Sequence, residues 1–330
     1  MIKGEPWRVS GFFLKGIPKG KNKMADIEEL HEYYVANIKE KVFFEKKIIN
    51  GKPYVVLYLH DVAAEVESFV ETFVQYFPYY VWNEDQLDVL DISSGIKTAL
   101  EKVSHRCWSS EIVPCRTTST NGIYGELYLD FYERIVNERK LIITYASRRS
   151  FANNQESKGF DHLAYLINDG KLEIVFGEAK YVSGASVAKD NLLEDIRGKA
   201  DGSEAGHLTK EYIEDFVNFA VQQNQQFSEA ERLELKALMR ELNTNLVNGR
   251  KNFMEYIIEQ DIKINVVLFA VFKSTYKMPK HFEDYYDELH KEAENALNSI
   301  GIKNYSIEVV FIPTESTSMH IKEKIDEFYR

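Results

Sequence analysis

Two adjacent residues, Asp169-Gly170, constrain the middle of this chain more tightly than any others. They separate two apolar-rich runs, Gly159 to Asn168 and Lys171 to Lys180. A two-residue type I′ turn needs φ > 0 at both central positions, and Asp-Gly adopts that backbone readily, so the pattern predicts a β-hairpin. The turn then fixes the register. If Asn168 faces Lys171, Asp161 falls directly opposite Glu178. Strand side chains alternate with period two, so Lys180 shares the face of Glu178. Gly159, opposite Lys180, adds no side chain there.

The rest of that face is Leu163, Tyr165, Ile167, Leu172, Ile174 and Phe176, which makes it a core face. Two like charges directly across a strand pair, ~5 Å apart at Cβ, are destabilising, and more so on a half-buried face. The arrangement becomes favourable when a divalent cation lies between the acids. Their hard oxygen ligands suit Mg²⁺, with Mn²⁺ also accepted. A lysine beside them can orient an attacking water or stabilise charge developing on a phosphate. The competing reading is an amphipathic hairpin whose end frays into water, with ordinary solvated Asp, Glu and Lys.

Elements before and after the hairpin alternate between helix and strand. Residues 26–39 read as a helix. Val42 to Ile49 and Tyr54 to Leu59 read as strands joined at Asn50-Gly51, a second hairpin signal. Val62 to Phe77 carries Val62, Val66, Phe69, Val70, Phe73 and Phe77 on one helical stripe, with Pro78 expected to end it. Ser93 to Val103 reads as a helix. Tyr124 to Val136 is another, with Leu127, Phe131 and Ile135 at i, i+4, i+8. Leu141 to Tyr145 is β-rich. After the hairpin come helices at 186–196, 209–221 and 228–248, a strand at Lys263 to Phe272, and a helix at Phe282 to Ile300. A strand at Tyr305 to Ile312 is stopped by Pro313, and a final helix follows. This alternation predicts an α/β fold with a mixed central sheet and helices on both faces. Cys107 to Gly122 has turn residues and no period. It marks an expected boundary between an N-terminal α/β region, 1–115, with a partner or regulatory role, and a second domain, 116–330.

The 330 residues suit one large or two ordinary domains. No run of ~18 apolar residues is present, so no membrane span is expected. The first residues lack the apolar core of a signal peptide. Only two cysteines occur, Cys107 and Cys115, at a spacing that matches no zinc pattern. A cytoplasmic location follows as the expectation. Net charge is −11, which argues against a protein that coats nucleic acid. Residues 1–115 hold 14 Lys+Arg against 17 Asp+Glu, and residues 116–330 hold 27 against 35. An enzyme that touches DNA only in a groove can still be acidic overall, and a partner can supply the remaining affinity.

Asp161, followed after a hairpin by Glu178-Ala179-Lys180, resembles the PD-(D/E)XK nuclease core. There a helix carrying a glutamate precedes a β-meander, and acids and lysine lie on adjacent strands. The order helix, strand, Asp strand, Glu-x-Lys strand, helix is the same here. The strings YGELYLDFYERI, GFDHLAYLI and LEIVFGEAKY further resemble the HamA family, the nuclease subunit of the Hachiman anti-phage defence system. The likeness is carried mainly by residues 110–330.

The resemblance implies a restriction-endonuclease-like core and a Mg²⁺-dependent endonuclease hydrolysing DNA. Glu126, Asp161 and Glu178 would hold the metal, and Lys180 would act beside it. It also implies an antiviral effector held in check by a helicase-like partner of the HamB type. Arg148, Arg149, Lys189 and Arg197 are candidate phosphate contacts, each weighed against a solvated surface charge. A catalytically inactive nuclease-fold module for DNA or protein binding remains as the alternative. So does an unrelated α/β scaffold, in which Asp161 and Glu178 would be exposed or apart.

Other residues carry less. His162 points to the opposite face of its strand, towards a packed helix. Asp61, beside His60, and the isolated His207 have no partner at a telling spacing. The stretch Asp201-Gly202-Ser203-Glu204-Ala205-Gly206 is acidic and lacks the Lys-Ser/Thr ending of a phosphate loop. No Gly-x-Ser-x-Gly elbow occurs. The basic loop Lys15 to Lys23 reads as a mobile surface segment or a grip on nucleic acid or a partner.

Overall fold

A computed structural model describes residues 24, 26–39, 42–49, 52–59, 65–82, 87, 90–109, 122–141, 160–168, 171–215, 253–275 and 281–330. The elements in chain order are α1 (Ile27–Asn37), β1 (Val42–Ile49), β2 (Lys52–Leu59), α2 (Glu65–Val81), α3 (Ile96–Ser109) and α4 (Gly122–Phe131). A π-helical turn (Tyr132–Val136), β3 (Lys140–Leu141), β4 (His162–Asn168), β5 (Lys171–Val182), α5 (Ala185–Arg197) and α6 (Phe253–Glu259) follow. The chain closes with β6 (Lys263–Lys273), α7 (Phe282–Ser299), β7 (Tyr305–Thr314) and α8 (Ser318–Phe328). The basic loop 15–23, His60, Asp61, Cys115, Arg148, Arg149 and the expected helix at 228–248 lie outside the described residues, as do the two hairpin turns themselves.

The strands form one mixed seven-stranded sheet in the order β1-β2-β7-β6-β5-β4-β3. β5, β6, β7 and β2 are mutually parallel neighbours, and antiparallel pairs close both ends. β1 and β2, drawn from the N-terminal side of the expected boundary, join this same sheet through β7, with Val55 opposite Val310 and Val56 opposite Phe311. The β4–β5 register is the one that Asp169-Gly170 dictates: Asn168 opposite Lys171, and His162 opposite Gly177.

Helices cover both faces. On one, α1, α2, α3, α4 and α8 pack over Val175, Ala179, Tyr181, Val267, Phe269 and Val310. On the other, α5, α6 and α7 pack over Leu163, Ile174, Phe176, Leu268, Ala270 and Phe311. The strict alternation along β5 sends even-numbered residues to the second face, where Glu178 and Lys180 therefore point.

Two helix and strand ends differ from expectation. α2 continues through Pro78 to Val81. Pro78 gives up one backbone donor, but Tyr79, Tyr80 and Val81 are buried in the core, and the next turn closes from the Trp82 N–H to the Pro78 carbonyl at 3.0 Å. Core burial outweighs the proline. β7 likewise passes Pro313, which lies one residue before the strand's end and beyond its registered pairing with β2, where a missing donor is tolerated.

α4 sits unusually close to β5. A Cβ built on Gly125 would lie 3.2 Å from the carbonyl carbon of Lys180 and 3.4 Å from the amide nitrogen of Tyr181. The missing side chain lets the helix backbone rest directly on the strand that carries the site.

Candidate metal centre

The site forms where β5 runs past the end of β4. Asp161 is the first residue beyond the β4 ladder, and its Oδ2 accepts the Ala179 backbone N–H at 2.8 Å. That bond fixes the Asp161 carboxylate against β5, beside Glu178, and the two side chains are in hydrogen-bonding contact. Glu178 is almost fully buried, while Lys180 and Asp195 keep part of their surface open. The Lys180 ammonium pairs with Asp195 Oδ2 at 2.5 Å, and the His207 Nδ1 contacts Glu178 Oε1.

Asp195 and His207 reach the site for identifiable reasons. α5 lays Leu192, Leu193 and Ile196 into the core, which turns Asp195 back along the sheet towards Lys180. The chain then leaves the helix at Gly198, with φ of +82°, and returns through a bridge between Gly198 and Ala205. Gly206 packs so tightly that a Cβ would lie 2.2 Å from the Ile196 carbonyl oxygen. The next residue, His207, donates its backbone N–H to the Asp195 carbonyl at 2.6 Å. Its ring stacks on Tyr212 at 4.3 Å with an interplanar angle of 11°, and Phe160 meets it edge-on at 5.9 Å.

The electrostatics follow from crowding. Burial, then the charges of Asp161 and Asp195, push the Glu178 carboxyl well above the usual carboxylate range. Burial alone would lower the Lys180 ammonium, but Asp161, Asp195 and Glu178 together hold it above an ordinary lysine. Burial lowers the His207 imidazole below its ordinary value, opposed by Asp195 and assisted by Lys180. Burial and the same three carboxylates raise the Tyr212 hydroxyl.

One ligand atom each from Glu178, Asp195 and His207 lies within 4.8 Å of the others, and this is the one such convergence of three among the described residues. Carboxylate oxygens with an imidazole are the donor chemistry of a divalent cation site.

The structure thus brings Asp161, Glu178 and Lys180 together. Glu126 lies elsewhere. Its helix is buried on all sides and packs on the opposite face of the sheet, where the Tyr80 hydroxyl donates to Glu126 Oε2 at 2.7 Å. His162 also points to that face, with Nδ1 3.6 Å from Asp130 Oδ2. Lys189 pairs with Asp190 at 2.9 Å and with Glu288 of α7 at 3.0 Å, and Arg197 is exposed at the end of α5. Asp195 and His207 were invisible as site residues in the sequence, because neither stands at a spacing that implies the other.

An α/β sheet flanked by helices, with carboxylates and a lysine gathered at one strand end, is consistent with a nuclease-like core. A family model matches residues 34–330, nearly the whole chain, and on that match the chain belongs to the HamA family. The match reaches further towards the N-terminus than the strings that suggested it, and takes in β1, β2 and α2. Membership makes this a protein related to anti-phage defence. No curated protein matches the chain. No helix among the described residues is long and apolar enough to cross a membrane.

Proposed function

We propose that the chain is a metal-dependent endonuclease that hydrolyses DNA phosphodiester bonds as a defence effector, under the control of a helicase-like partner. The observation that carries this reading is the placement of Glu178 and Lys180 side by side on one face of β5, with Asp161 locked against them. Asp161 and Glu178 are the proposed ligands for Mg²⁺, with Mn²⁺ accepted. Glu126, held by Tyr80 behind the sheet, is not part of that set.

A bound divalent cation would polarise the scissile phosphate and lower the pKa of the attacking water. The chain's own residues do the rest. The Ala179 N–H fixes the Asp161 carboxylate beside the cluster. Lys180 is held protonated by three carboxylates and so carries a fixed positive charge next to the reacting phosphate. Phe160 and Tyr212 form an aromatic wall on one side of the cluster through their packing with His207. Low net affinity for DNA fits a chain of charge −11 whose partner supplies most of the binding.

The test is cleavage of supercoiled plasmid in Mg²⁺ against EDTA, with Glu178→Ala and Lys180→Ala. Each variant should stay folded and lose cleavage by at least ~10²-fold, the scale of removing one preorganised charge. The losses should not add, because both groups serve one step. A double variant that cleaves as well as the unaltered chain would refute the assignment.

A further inference from the structure

Asp195 and His207 stand at the cluster without a role in the reading above. We infer that Asp195 and His207 join Glu178 in holding the cation there, beside Asp161, so that one imidazole nitrogen enters the ligand set and raises the site's affinity for first-row transition ions relative to Mg²⁺. The inference rests on reading the cluster as a cation site, and assigns its ligands and its metal class.

Geometry supports it at three points. First, the three ligand atoms lie within 4.8 Å of one another. Ligands ~2.1 Å from a common centre are at most ~4.2 Å apart, so a small inward movement suffices. Second, the His207 ring is pre-oriented. It is stacked on Tyr212, braced by Phe160, and tied through its backbone N–H to Asp195, so the loop delivers Nδ1 to Glu178 with little freedom left to lose. Third, Asp195 now pairs with Lys180 at 2.5 Å. A cation on Asp195 takes over that charge balance and leaves the ammonium to face a phosphate.

Imidazole changes the selectivity. Mg²⁺ prefers an all-oxygen shell and keeps several waters. Nitrogen ligands suit the transition ions, whose affinities for mixed sites exceed those of the alkaline-earth ions. A purely structural account gives the two contacts another purpose: His207 and Lys180 would simply satisfy Glu178 and Asp195, and the imidazole would never meet a metal.

Pulsed electron paramagnetic resonance on the full chain loaded with Mn²⁺ separates these accounts, because it detects nitrogen bound directly to the ion. The unaltered chain should show an imidazole ¹⁴N coupling that converts to ¹⁵N when histidine alone is labelled, and His207→Gln should lose it. In calorimetry, His207→Gln should weaken Mn²⁺ binding by ~10-fold or more, while Mg²⁺ affinity shifts by less than about threefold. The labelled unaltered chain decides the question if the variant fails to fold. Mn²⁺ binding that Glu178→Gln abolishes but that carries no nitrogen coupling overturns the His207 ligand and leaves the cation site standing. Absence of any Mn²⁺ or Mg²⁺ binding sensitive to Glu178→Gln overturns both.

Discussion

Glu133 offers the most quantitative test of the structure. It lies on the π-helical turn, is fully buried, and contacts the Arg139 guanidinium while Asn137 donates to it at 3.0 Å. Burial outweighs the arginine, and Glu308 adds to it, so the carboxyl is raised from 4.5 to about 7. The sign follows directly. Between pH 4.5 and 7 the folded chain holds a proton at Glu133 that the unfolded chain has released, so this group's contribution to stability is greatest below 4.5 and is lost as pH rises through about 7. At ~1.4 kcal/mol per pH unit the full span is worth ~3 kcal/mol. Most of that falls between pH 5 and pH 8. Glu133→Gln removes the titration and keeps an acceptor for Arg139. Any constant penalty of the substitution cancels when each protein is compared with itself at the two pH values. Urea unfolding followed by fluorescence of the buried Trp82 and Trp108 provides the measurement. The unaltered chain should lose roughly 2–3 kcal/mol more than Glu133→Gln between pH 5 and pH 8. Equal losses would refute the claim that burial dominates Arg139 at this carboxylate.

Three further outcomes follow from other parts of the fold. Millimolar Mg²⁺ should raise the melting temperature over EDTA by mass action, and Glu178→Gln should abolish the shift; a melting curve blind to the ion would count against any cation site. Gly125→Ala gains ~1 kcal/mol of helix propensity but forces a Cβ to 3.2 Å from Lys180, where overpacking costs ~1–3 kcal/mol. The variant should therefore melt lower and cleave more slowly, and a higher melting temperature would show that α4 moves freely off β5. The isolated chain should bind DNA weakly at physiological salt and form a stable complex with a helicase-like protein, as gel filtration and fluorescence anisotropy would report; tight binding without a partner would contradict the charge argument.

What the sequence disclosed was the part governed by local rules. Asp169-Gly170 sets a backbone that few other pairs adopt, so the register of β4 and β5, and the meeting of Asp161 with Glu178, could be counted out residue by residue. What it withheld depends on tertiary packing. α4 is buried from Ile123 to Phe131, so its apolar stripe could not tell which side faces the sheet, nor that Glu126, expected as a metal ligand, would accept the Tyr80 hydroxyl. Asp195 resembles any acid on a helix until Leu192, Leu193 and Ile196 fix the helix's orientation. His207 reaches Glu178 only because Gly206 allows backbone to lie on backbone. Pro78 reads as a terminator, yet the aromatic residues after it are worth more in the core than the lost donor.

The strand order has a consequence for synthesis. Among the described residues, the β1–β2 pair joins the sheet only through β7, the last described strand made. Val55 and Val56 wait for residues made roughly 250 positions later, on the order of ten to fifty seconds at ~5–20 residues per second of translation. Until then one edge of β2 is an open row of backbone donors and acceptors, the kind of edge that recruits other chains. A ribosome that stalls between β6 and β7 leaves a chain that carries every residue of the acidic cluster, with β1–β2 still unjoined to the rest of the sheet.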